Sequence, residues 1–357
     1  MERIYIVTGG AGHLGSTIVK KLSALGARVR ALLLPGESAA PLEGCPDVEI
    51  VRGDVCDAAS LEPLFAHGPR ETLAVIHTAA LISIETKVSP RLRAVNVGGV
   101  ENIIDACLAH PPARLVHVSS VHALPEQPGR GVIRETDQFH AAWVKGAYAK
   151  TKAEAAQKVL NAVRARGLDA SLVLPAGILG PGDFGRNHLN HTIRACVTGR
   201  LHTLVTGGYD LVDVRDVADA CISAVDKGGR GESYILSGRH YDWREVSALL
   251  EAENTAAHVK RFLSPSALRP VAPLMELWAK LRREQPLFTG YSLYCMRSND
   301  NFSSRKAHRA LGFTNRPIAE TLADTAAWEL SRAEAAKPAP RPARAKKYRP
   351  KKLPAVN

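Results

Sequence analysis

Apolar side chains follow two rhythms along the first half of this chain. Short runs rich in β-branched residues, Ile4–Val7, Arg28–Leu34, Val48–Val51 and Leu115–Val118, predict buried parallel strands. Between them the spacing is helical. Leu14, Ile18, Leu22 and Leu25 share one face, and Gly26 stands where a helix C-cap belongs. Alternation of such strands and amphipathic helices through residue 174 predicts an α/β fold with a doubly wound parallel sheet. From Pro175 onward short strands mix with helices, which predicts a smaller mixed α/β lobe over the carboxyl ends of the strands. The expected division is 1–174, an interleaved 175–330, and a tail at 331–357.

The first strand and first helix meet at Thr8-Gly9-Gly10-Ala11-Gly12-His13-Leu14-Gly15. Gly9, Gly12 and Gly15 free this turn of Cβ atoms, so backbone N–H groups can approach a pyrophosphate at the positive end of the helix. A dinucleotide is therefore the expected cofactor. The second strand should end in a residue that reads the adenosine ribose: acidic for NAD, arginine for the 2′-phosphate of NADP. The chain offers Leu33-Leu34-Pro35-Gly36, with Glu37 just beyond. The missing arginine leans the choice to NAD. Asp54, after the third strand, is the candidate on the adenine side, although such a residue also forms turns.

Tyr148 and Lys152 stand at i and i+4 on an Ala-, Lys- and Glu-rich segment, Tyr148 to Arg166, and share a helix face. Bringing a phenol from its ordinary pKa of ~10 to neutrality takes roughly 4 kcal/mol. One ammonium at ~4 Å in an intermediate dielectric supplies about that much. The expectation is a tyrosine made acidic by its lysine. Ser119-Ser120 follow the strand Leu115–Val118, at a carboxyl strand end where doubly wound sheets bind ligands. Ser120 is the candidate to hold a substrate oxygen; Ser119 can equally cap the strand.

These residues resemble the extended short-chain dehydrogenase/reductase family, the group that includes the NAD-dependent epimerase/dehydratase proteins. The resemblance runs from about Ile4 to Leu330. It rests on Thr8, Gly9, Gly12 and Gly15, on Ser120, Tyr148 and Lys152, and on Gly53-Asp54-Val55. His77-Thr78-Ala79-Ala80, Asn96-Val97-Gly98-Gly99, Pro175–Gly182 and Val212–Ala218 extend it. It implies a Rossmann-type sheet with Ser120, Tyr148 and Lys152 as catalytic residues. It also implies cofactor contacts from Thr8, Gly9, Gly12, His13, Leu14 and Gly15, and from Asp54 and Val55. Further contacts would come from Thr78, Ala79 and Ala80, from Tyr148 and Lys152, and from Pro175, Gly177 and Ile178. Tyr-x-x-Thr-Lys followed by Ala153-Glu154 looks more like the dihydroflavonol-reductase and 3β-hydroxysteroid-dehydrogenase-like branch. That implies NAD or NADP, net oxidation or reduction, and a hydrophobic hydroxy or keto substrate. A nucleotide-sugar epimerase with tightly bound NAD and a non-catalytic dinucleotide-binding scaffold are the alternatives. The family also implies a homodimer through helices near Asn96–His110 and Tyr148–Arg166, whose Ala and Val residues would suit a four-helix interface if exposed.

Charge changes the picture little once it is located. Of 357 residues, 47 are Lys or Arg and 35 are Asp or Glu, a formal net charge of +12. Ser331–Asn357 carries nine of the basic residues and one acid, a surplus of eight. This Pro- and Ala-rich tail lacks the apolar side chains for a core and is expected to be disordered. It suits an anionic partner, or simply solubilises the chain; no specific nucleic-acid interface is expected. The six scattered cysteines form no C-x-x-C, and with no signal peptide they read as reduced thiols of a cytoplasmic protein. No apolar run approaches the ~20 residues of a membrane span. No metal site is expected, since His188 and His191 lack further ligands. Pro265 to Pro286, with Leu274 and Leu277, reads as an amphipathic helix that covers the body or lids an apolar substrate.

Overall fold

The computed structural model describes residues 2–335 apart from 112, 185–186, 254–256, 269 and 271–288. Its centre is a seven-stranded parallel sheet. β1 (Glu2–Thr8) lies between β2 (Arg28–Leu33) and β4 (Glu71–His77), and β3 (Val48–Arg52) forms one edge. On the other side follow β5 (Ala113–Val118), β6 (Asp169–Pro175) and β10 (Ser233–Leu236), giving the order β10-β6-β5-β4-β1-β2-β3. Strand order therefore reverses between β1 and β4, which opens a crevice at the carboxyl ends of these strands.

The inner strands are apolar on both faces because helices cover both. The last five residues of β4 and the last six of β6 are all buried, whereas the edge strand β3 buries only Val51. Helix α1 (His13–Ala24) buries Leu14, Ile18, Val19 and Leu22. After the short helices α2 (Glu62–Phe65) and α3 (Pro90–Arg93) come α4 (Gly99–Ala109), preceded by one π turn at Ala94–Gly98, and α5 (Ala147–Arg166). The Ala and Val residues expected to face outward on these two helices are largely buried within the chain: Val100 on α4, and Ala149, Ala153, Ala156 and Val159 on α5. Outward positions are charged and paired, Lys158 with Glu101 at 2.6 Å and Arg166 with Asp105 at 2.6 Å. Ala106 and Leu108 on α4 and Val163 on α5 stay half-buried, and Ala109 and Ala165 are exposed.

Beyond β6 the chain leaves and rejoins this sheet. β7 (Gly177–Leu179), helix α6 (His188–Val197), β8 (Thr203–Val205) and β9 (Gly208–Asp213) lead to α7 (Val214–Lys227), which packs on α1 before β10 returns beside β6. β11 (Arg239–Asp242), α8 (Trp243–Ala252) and β12 (Arg261–Leu263) complete two small sheets, β11-β9-β7 and β12-β8. These have a core of their own around Leu179, Ile193, Leu211, Trp243, Leu250 and Leu322. The last helix, Ile318–Ala335, carries five residues of the segment expected as a tail; residues 336–357 lie outside the described part. In the segment expected as an amphipathic helix, Pro265–Leu268 is helical, while Leu274 and Leu277 lie outside the described residues. No helix among the described residues is long and apolar enough to cross a membrane.

Candidate active site

The glycine turn is shaped by close approach. A Cβ on Gly15 would lie 2.1 Å from the Gly9 carbonyl oxygen, so α1 can reach β1 only with glycine there. Gly9 has φ +66°, and a Cβ on it would press at 3.0 Å on the backbone of Ala79. Thr8 fastens the same corner: its carbonyl accepts from the Thr78 hydroxyl at 2.6 Å, and its hydroxyl accepts from the Ala79 N–H at 3.2 Å. No side chain caps the first turn of α1, and no acidic residue stands in it. A tight, uncapped helix N-terminus at the switch point fits the pyrophosphate of a dinucleotide. His13 is tied to the other wall, its Nε2 3.1 Å from the Pro181 carbonyl and its Nδ1 3.3 Å from the Asn187 amide. Burial lowers its pKa against the pull of Asp183.

Around this cradle the other expected cofactor residues line the crevice rim. Thr78, Ala79 and Ala80 follow β4 directly. Asp54 accepts from the Cys56 N–H at 2.9 Å, a local turn bond, and Val55 packs under Gly99. Pro175 ends β6, and Gly177 and Ile178 begin β7. At the ribose-reading position Glu37 accepts from the Leu34 N–H at 2.8 Å. No arginine ends β2, but in register with Leu33, β3 ends in Arg52, whose guanidinium donates to the carbonyls of Leu34, at 3.2 Å, and Glu37. An arginine is therefore present at this corner, contributed by the neighbouring strand and bound to the loop's backbone.

The three expected catalytic residues meet where β5 ends. Ser119 N–H donates to the Val173 carbonyl at 2.8 Å, extending the β5–β6 ladder by one residue, and Ser120 follows at the strand end. The Ser120 hydroxyl accepts from the His122 N–H at 3.2 Å and lies beside the Tyr148 phenol, near enough to pull its pKa down. The Ser119 hydroxyl is buried without a partner among the described residues. Lys152, buried on the same face of α5 as Tyr148, donates to the Val118 carbonyl at 2.8 Å and stands 5.9 Å from the centre of the tyrosine ring. Asn96, buried beneath α5, holds the site's floor. Its side-chain amide donates to Thr151 Oγ1 at 3.1 Å and to the Leu81 carbonyl at 2.9 Å.

The acidic tyrosine expected from the Tyr-Lys pairing is not what these side chains produce. Burial pushes the Tyr148 phenol up to about 12, with the neighbouring Ser120 hydroxyl pulling the other way. Burial also pushes Lys152 down to about 8. The ammonium is turned to the Val118 carbonyl, and desolvation outweighs attraction at this separation.

Sequence reasoning missed two features beside the site. His77, read only as part of a motif, stacks on His117 beneath it, ring centres 5.5 Å apart. Tyr291 lies over Gly146, just before Tyr148. Both arise from strands or helices distant in sequence, and no local spacing signals them. His188 and His191 are exposed on α6, and no cluster of three metal-ligating side chains occurs among the described residues. The cysteines are free thiols.

The chain is 32% identical over 326 residues to sterol demethylase protein B of Methylococcus capsulatus, covering 90% of this chain and 97% of that protein. It is 29% identical to mouse 3 beta-hydroxysteroid dehydrogenase type 7, covering 87% of this chain and 90% of the relative. The crystal structure of gox2253 superposes with a TM-score of 0.77 at 28% identity, over 92% of this chain and 98% of that one. Residues 5–237, from the first strand through β10, match the NAD dependent epimerase/dehydratase family, and the chain belongs to that family.

Proposed function

We propose that this protein is an NAD(P)-dependent oxidoreductase that moves a hydride between nicotinamide and an apolar alcohol or ketone of steroid or flavonoid type. The gathering of Ser120, Tyr148 and buried Lys152 at the end of β5 carries the reading. The names of the sterol and hydroxysteroid relatives support the substrate class. Bound nicotinamide would supply or accept the hydride. Tyr148 gives its phenolic proton to the substrate oxygen in reduction and takes it back in oxidation, while the Ser120 hydroxyl orients that oxygen. A phenol held near 12 stays protonated at neutral pH, which is the form that ketone reduction uses. Lys152, fixed by Val118, brings positive charge beneath the proton-transfer site. Gly9, Gly12 and Gly15 hold the pyrophosphate.

Tyr148→Phe keeps the ring and removes the proton. The expected result is loss of at least about 100-fold in kcat for reduction of a steroid ketone, with NAD(P)H affinity by fluorescence titration within about twofold of the original. Full turnover in that variant contradicts the assignment.

A further inference from the structure

Beside Tyr148 the structure builds a second aromatic surface from a remote part of the chain. Gly146, the residue before α5, has φ +91°, and a Cβ placed on it would lie 2.2 Å from Cε2 of Tyr291. The Tyr291 ring therefore rests directly on the backbone two residues before Tyr148, and only glycine permits it. Tyr291 is half-buried and lies within electrostatic reach of both Tyr148 and Tyr209. His122 meets Tyr148 edge-on, ring centres 6.3 Å apart.

The helix that presents Tyr291, Gly290–Cys295, is pinned on several sides. Thr289 and Ser292 form a capping box, and the Thr289 hydroxyl donates to the Ile84 carbonyl at 2.7 Å. Ala147 N–H donates to the Glu85 carbonyl at 3.1 Å, joining the same loop to the start of α5. Tyr294 stacks beside Tyr291 at 6.3 Å, takes the Lys145 ammonium over its ring at 4.5 Å, and bonds Glu126 through its hydroxyl. Four segments distant in sequence thus converge to hold one phenol ring in place next to the reacting tyrosine. A fixed aromatic face loses little freedom when a flat apolar ligand packs on it.

We propose that Tyr291 is a specificity-determining residue whose ring forms the wall on which a flat fused-ring substrate packs beside Tyr148. This rests on the oxidoreductase reading above and names the residue that selects the ring system. The face, not the hydroxyl, does the selecting, because a flat fused ring system packs on aromatic area.

The test compares Tyr291→Ala and Tyr291→Phe in the full chain, with a fused-ring steroid ketone and a short acyclic ketone such as 2-heptanone. Equilibrium dialysis of the steroid ketone against the cofactor-saturated protein runs alongside. Tyr291→Ala is expected to raise KM and Kd for the steroid about tenfold, with kcat and the acyclic ketone's KM within about twofold. Tyr291→Phe should stay near the original protein on every count. Should Tyr291→Ala fail to fold, Tyr291→Leu keeps bulk while removing the flat face and is expected to show the same selective loss. Equal loss on both ketones, or a Tyr291→Phe defect as large as that of Tyr291→Ala, overturns the proposal, as does failure of the original protein to bind the steroid. Steroid binding that depends on Tyr291 without turnover of either ketone would sustain the wall while removing the oxidoreductase reading.

Discussion

His77 and His117 pair in register on β4 and β5, buried and stacked at an interplanar angle of 19°. His77 has one partner, Thr8 Oγ1 at 2.8 Å from its Nδ1; its Nε2 and both His117 nitrogens have none among the described residues. Burial, and after it the Lys152 ammonium, holds His77 down to about 3 and His117 well below its ordinary value. The unfolded chain takes up a proton near pH 6.5 and the folded chain resists it, so stability is complete above that pH and lost as pH falls toward 3. His77→Asn removes this component. Between pH 6.5 and 5 the original protein should lose roughly 1.5 kcal/mol more unfolding free energy than the variant, by urea titration at each pH. Parallel stability–pH curves would show that His77 is not held neutral. The sequence displayed His77 only as the first residue of a motif. Its pairing with His117 depends on strand register, which no local pattern encodes.

At the scale of elements, the glycine turn shows what a local pattern does encode. Strand, turn and helix were legible because β-branched runs, glycine spacing and the Leu14–Leu25 stripe each act within a few residues. Ser120 at a strand end and Tyr148–Lys152 on one helix face were legible for the same reason. Not legible were the π turn at Ala94–Gly98, the arrival of Arg52 beside Leu34, and the contact of Tyr291 with Gly146, each fixed by tertiary packing. Nor was the desolvation that sets the Tyr148 and Lys152 pKa values. Gly15→Ala tests the turn itself: with its Cβ 2.1 Å from the Gly9 oxygen, α1 must back away. We expect about 2 kcal/mol of lost stability and at least about tenfold weaker cofactor binding by calorimetry. Gly98→Ala, where a Cβ meets nothing within 4 Å, should leave both intact. A Gly15→Ala variant with unchanged affinity would mean that the turn does not hold the pyrophosphate.

Across the whole molecule, alternation of strand and helix signalled the parallel sheet, but the chain's return to it did not show in the sequence. β10 rejoins beside β6 after an excursion of more than fifty residues through the smaller sheets. Side chains remote in sequence then fasten the parts together. Arg316, just before the last helix, donates from its backbone at 2.8 Å and from its guanidinium at 2.8 and 2.9 Å to Asp216 on α7. The glycine turn at the end of β1, the Ser120, Tyr148 and Lys152 side chains, and the Tyr291 ring over Gly146 are thereby held in one crevice. Net hydride transfer is tested by mixing the purified protein with NADH or NADPH and a steroid ketone, following nicotinamide absorbance with product analysis. One cofactor oxidised per alcohol formed is the expected result. Retained NAD that survives purification, no net redox on any such ketone, and epimerisation of a nucleotide sugar without added cofactor would contradict it.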